Sequence, residues 1–165
     1  MTGGEGLDLA LLGVEMGEWK VEGFEDIVAC QKARSLTKLV YSATRQPTMR
    51  RDPSLADQMR RASVSIMANI AEGYERGYSG DFHRFLTFAK GSCAELLSHF
   101  FVALDSELIT SEVFDELSTA AQEVTRILGG LRAAVAKKNL GVREEIAVYD
   151  AAEVESCLLY TSRCV

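Results

Sequence analysis

Apolar residues recur every three or four positions through the middle of the chain, the spacing of one face of an α-helix. From about Glu25 to Arg45, Ile27, Leu36, Leu39 and Val40 recur near helical spacing, with Ala29, Ala33 and Ala43 as small neighbours. Gln46-Pro47 closes this first predicted helix, because proline disfavours helix in the residue before it. The second has a clear start. Asp52 suits the capping position and Pro53 the first helical one, where its missing N–H would be unpaired anyway. Leu55, Met59, Ala62, Ile66 and Ile70 then form one stripe, with Gly73 and Gly77 as stops.

The third predicted helix opens with Ser79 as cap and Asp81 in its first turn, where a negative charge suits the helix dipole. Phe82, Phe85, Leu86, Ala89, Cys93, Leu96, Phe100 and Leu104 mark its buried side. The fourth opens with Thr110, flanked by Ile109 and Phe114 at the spacing of a hydrophobic staple. Its stripe, Val113, Leu117, Ala120, Val124, Ile127, Leu131 and Val135, is the most regular in the chain. Gly129-Gly130 weakens this helix, and close packing against a neighbour is the expected compensation. Three short connections between long helices predict an all-α fold, an antiparallel up-down-up-down four-helix bundle. No strand pattern competes.

Composition sets limits on this picture. The chain has 165 residues, a one-domain length. The division expected is an N-terminal extension over 1–23, the bundle over 24–139 and a C-terminal extension over 140–165. Leu9 to Val14 is too short for a signal sequence and follows Glu5 and Asp8 in place of a basic region. No stretch approaches the roughly 20 apolar residues that span a bilayer. A cytoplasmic location and no membrane partner are therefore expected. Cys30 and Cys93 fall inside helical patterns, and Cys157 and Cys164 in the tail, so reduced thiols are the preferred reading.

The net charge of −6 comes from the ends. Residues 24–139 hold fifteen Lys/Arg against fourteen Asp/Glu, which argues against a generally basic nucleic-acid binder. The last ten residues, Ser156 to Val165, break the helical pattern and read as a passive tail foreign to the natural gene; the alternative is a docking peptide built on Leu158, Leu159 and Tyr160.

A set of motifs carries a family resemblance. Phe24-Glu25-Asp26-Ile27 is followed by Gln31-Lys32-Ala33, Gln58-Met59-Arg60-Arg61-Ala62, Ser65-Ile66 and Asn69-Ile70-Ala71-Glu72-Gly73-Tyr74. Phe82, Arg84, Phe85 and Leu86 come next, then Ala89, Gly91-Ser92 and Ala94-Glu95-Leu96. Together these resemble the bacterial 23S rRNA intervening-sequence proteins, also called simply four-helix-bundle proteins. Cys30 stands where that family usually has tryptophan, and Asp52-Pro53 replaces its usual Tyr-Gly-Leu pattern. A similar bundle is an accessory protein of diversity-generating retroelements, where it forms a pentameric ring and binds nucleic acid and reverse transcriptase. The resemblance implies a homo-oligomer, a pentamer favoured, and a link to RNA or DNA. It implies no enzyme activity and no cofactor.

Two constellations are candidates for function. Residues 32–61 carry eight Lys/Arg against Asp52 and Asp57, and Arg45, Arg50, Arg51, Arg60 and Arg61 are the candidate phosphate contacts. Residues 105–123 carry six acids and no base, so the two patches of neighbouring subunits could instead meet and build a ring. On helices two and three, Asn69, Glu72, Ser92 and Glu95 are candidates for a polar network between helices, against the plainer reading of a solvated face. Nucleophile–base pairs and paired Glu-x-x-His motifs cannot be assembled, so no catalytic or metal residue is expected. Glu95 and His99, four apart, are one weak pair.

Overall fold

The fold was read from a computed structural model that describes residues 22–139, with side chains to residue 137. The expectations for most of the N-terminal extension and for the tail fall outside this range. A 3-10 turn, Phe24–Asp26, leads into α1, Val28–Ala43. A second 3-10 turn, Pro47–Arg51, leads into α2, Pro53–Glu75. Then come α3, Ser79–Asp105, and α4, Ser111–Asn139.

Local chemistry sets most of these boundaries. Asp26 accepts hydrogen bonds from the amides of Glu22 and Gly23, at 2.9 and 3.3 Å, which fixes the entry of the chain. The first helix therefore begins three residues later than the pattern predicts, after the 3-10 turn. Asp52 caps α2 by accepting from the Leu55 amide at 2.9 Å. Gly77, at φ 71°, follows the end of α2 in the left-handed conformation that glycine adopts without strain. Gly73 is not a stop. It lies inside α2, where a Cβ would come within 2.6 Å of the Phe85 Cβ, so it allows α2 and α3 to approach. The cap of α3 is Tyr78, and Ser79 is its first helical residue. Thr110 Oγ1 accepts from the Val113 amide at 3.4 Å at the start of α4.

The helices alternate in direction, as cross-helix contacts demonstrate. On α1, Thr37 lies 3.2 Å from the Ser63 carbonyl of α2, while Thr44, just past the end of α1, meets the earlier residue Arg60. Between α2 and α3, Ser65 meets Ser92 and Gly73 meets Phe85. Between α3 and α4, Cys93 bonds Thr125 and Phe101 stacks on Phe114. Between the first and last, Lys32 pairs with Glu123 on α4, and Thr48 donates to the Leu108 carbonyl at 2.7 Å. In every case residue numbers rise on one helix as they fall on the next. Successive helices pack on one another and α1 closes against α4, an up-down-up-down bundle.

One core runs through it. Ile27, Leu36, Met49, Met59, Ile66, Ile70, Phe82, Leu86, Leu96, Phe100, Leu117 and Leu128 are its largest fully buried members. The α4 stripe is rotated from the sequence expectation. Leu117, Ala121, Val124, Leu128, Leu131 and Val135 are buried, whereas Val113, Ala120 and Ile127 lie half-buried beside them. Alternating steps of four and three fit both sets equally, and packing against α1 and α3 selects the one that faces the bundle axis. Gly129 and Gly130 have open space where a Cβ would sit, so close packing does not explain them.

Candidate functional site

The basic segment divides into exposed and inward-turned arginines. Arg45, Arg50 and Arg51 are exposed and make no ion pair among the described residues. Arg60 turns inward. Its Nε donates to the Thr44 hydroxyl at 2.8 Å, its Nη2 donates to the Thr44 carbonyl at 3.0 Å, and its guanidinium lies over the Tyr41 ring. Arg61 pairs with Asp57 at 2.7 Å, one turn away on α2. Of the five candidate arginines, Arg60 is thus engaged within the bundle, whereas Arg61 stays largely exposed in a surface pair.

Two cations that were not singled out from the sequence join the exposed ones. Arg34 and Lys38 are exposed on α1, unpaired among the described residues, and line one groove together with Arg45. The spacing of 34, 38, 41 and 45 carried the signal, because residues four or three apart share a helix face. The groove lies between α1 and α2 and has a volume of about 720 Å³. Tyr41, Val64, Met67 and Ala71 line it, and Phe24 stands among its walls. Val64 is 44% exposed there.

The acidic segment lies at the same end of the bundle. Asp105, Glu107, Glu112, Asp115 and Glu116 are exposed, while Glu123 is half-buried on Lys32. The hydrogen bond from Thr48 to Leu108 ties the two connections together, so the basic turn 47–51 and the acidic connection 106–110 share one level. Beside the acidic surface Phe101 and Val102 are 47% and 48% exposed, and Phe101 packs on Phe114 at 4.9 Å between ring centres.

Of the four polar-network candidates the structure joins two. Ser65 Oγ lies 2.9 Å from Ser92 Oγ, and Asn69 Nδ2 donates to the Ser65 carbonyl at 2.8 Å and is 3.2 Å from its hydroxyl. Ser65, absent from the candidate set, is the link between Asn69 and Ser92. Glu72 is exposed and pairs with Arg76 at 2.6 Å. Glu95 is exposed and lies 3.7 Å from His99. Neither carboxylate joins the serine pair.

The thiols are buried. Burial pushes the Cys93 thiol up to about 11 against the opposing hydrogen bond from Thr125, and burial raises that of Cys30 as well, with Glu25 adding to it. Among the described residues no group of three or more His, Cys, Asp or Glu could hold a metal ion. No helix among them is long and apolar enough to cross a membrane.

Fold and surface define an all-α bundle with one closed core, one cationic groove and charged, partly apolar outer faces. The chain belongs to the 23S rRNA-intervening sequence protein family, whose model matches residues 25–130. A similar fold occurs in a protein of unknown function from the S23 ribosomal protein family of Bacteroides thetaiotaomicron VPI-5482, solved at 1.70 Å. The likeness has a TM-score of 0.61 and 21% identity, and it covers 66% of this chain and 98% of that one. No curated protein matches the chain.

Proposed function

We propose that this chain is a non-enzymatic bundle that acts by assembling with copies of itself into a closed ring, five-membered by family resemblance. One observation carries the reading. Arg50 and Arg51 share an end of the bundle with Asp105 and Glu107, yet no ion pair joins them within the subunit among the described residues. Opposite charges at one level on different segments suit a head-to-tail contact between parallel neighbours, and such contacts form a ring where the rotation between neighbours closes. Exposed Phe101 and Val102 beside the acidic surface supply apolar area that charge alone would not. Reversing Arg50 and Arg51 to Glu should release subunits. Adding Asp105→Arg and Glu107→Arg to the same chain should restore assembly. Unchanged mass in the first variant would contradict the reading.

A second reading has its own support. Arg34, Lys38, Arg45, Arg50 and Arg51 are five cations without an ion pair among the described residues, on α1 and the turn that follows it. Arg34 to Arg45 span about 16 Å along a helix axis. Such a row suits contact with the phosphates of RNA or DNA. Binding of this kind weakens steeply with salt, by about 0.7–0.9 in log–log slope per phosphate contacted. The absence of a gel shift at low salt with either nucleic acid would leave assembly alone.

A further inference from the structure

The α1–α2 groove has apolar walls and a cationic rim, and neither kind of surface has a partner there among the described residues. We propose that residues 7–19 of this same chain dock in it. The inference does not depend on ring assembly or on nucleic-acid binding.

Three observations choose this occupant. The first is position. The described chain begins at Glu22, held with Gly23 by the Asp26 carboxylate, and Phe24 already lines the groove. The preceding residues are thus delivered to its mouth, and tethering raises their local concentration far above that of any free partner.

The second is chemistry. Residues 7–19 read Leu-Asp-Leu-Ala-Leu-Leu-Gly-Val-Glu-Met-Gly-Glu-Trp. Leu9, Leu12, Met16 and Trp19 recur at three and four, an apolar stripe to set against Tyr41, Val64 and Met67. Asp8, Glu15 and Glu18 are its only charges, and the rim offers Arg34, Lys38 and Arg45. Three carboxylates face three cations. An RNA would match the rim but would leave the apolar walls uncovered.

The third is reach. Thirteen residues at helical rise extend about 20 Å, against about 16 Å from Arg34 to Arg45. Lys20 and Val21 remain for the reversal ahead of the fixed Glu22, and two residues reach at most about 7 Å when extended.

Trp19 is the single tryptophan of the chain and a built-in probe. In the full-length protein its emission should be blue-shifted and shielded from iodide. Val64→Glu changes an exposed wall position and Lys38→Glu an exposed rim position, so neither should unfold the bundle. Each should red-shift Trp19 and raise its iodide quenching severalfold, while the helical circular-dichroism signal stays unchanged. Shielding should be independent of protein concentration. A solvent-exposed Trp19 in the unaltered chain would overturn the proposal, as would shielding indifferent to both substitutions. Shielding lost on dilution would also overturn it, by giving the groove to a second copy. Oligomer mass measured on the same variants keeps this outcome separate from the fate of the assembly reading.

Discussion

Arg60 on α2 holds Thr44 just past the end of α1, donating 2.8 Å from Nε to its hydroxyl and 3.0 Å from Nη2 to its carbonyl. The last carbonyls of a helix have no partner within it, and this guanidinium supplies one while stacking over Tyr41. The role is structural. Arg60→Ala should therefore destabilise the bundle by about 1–2 kcal/mol, since a charged donor bond is lost at a half-buried site. Arg60→Lys should recover little, because an ammonium lacks the two-pronged geometry. Urea unfolding monitored by circular dichroism measures both.

Glycine substitutions should act in opposite directions. A Cβ at Gly73 would meet the Phe85 Cβ at 2.6 Å, so Gly73→Ala forces α2 from α3 and should cost about 1–3 kcal/mol. Gly129 and Gly130 have open space, and alanine at either should add about 0.5–1 kcal/mol of stability through helix propensity. Thermal melts of the three single variants test the contrast.

How much of this was legible in the sequence varies by element. Asp52-Pro53 announced the start of α2 because cap and first-turn chemistry are local. The α4 stripe was found but rotated, since Ala120 and Ala121, or Ile127 and Leu128, are equally apolar and only packing against α1 and α3 chooses between them. The basic candidates were half legible. A count of charges cannot tell that Arg60 turns onto Thr44 and Arg61 onto Asp57, nor that Arg34, Lys38 and Arg45 line one groove. Ser65 escaped because its function depends on α3 placing Ser92 2.9 Å away.

The serine pair between α2 and α3 should be energetically coupled. Ser65→Ala leaves Ser92 without its cross-helix partner and should cost about 1 kcal/mol. Removing both hydroxyls should cost less than the sum of the single changes, because neither serine is then left without the other. A double-mutant cycle in urea reads the coupling.

Cys93 gives the bundle an alkaline weakness. Its thiol is raised from 9.0 to about 11, so the folded state keeps a proton that the unfolded chain releases. The contribution is fully present below about pH 9 and is lost as pH rises toward about 11. Between about pH 8 and about pH 10, the unaltered protein should lose more stability than Cys93→Ala does, as compared by urea unfolding at each pH. Equal losses would show that burial does not hold the thiol protonated.

Assembly is the central claim, and native mass measures it most directly. Light scattering at micromolar concentration and low salt should report a closed oligomer, five times the chain mass of 18.1 kDa if the family resemblance extends to subunit number. Raising the salt should shift that mass downward, because exposed charges on neighbouring subunits are screened beyond about 8–10 Å at ordinary ionic strength. A single species of 18.1 kDa at every salt concentration would contradict the account.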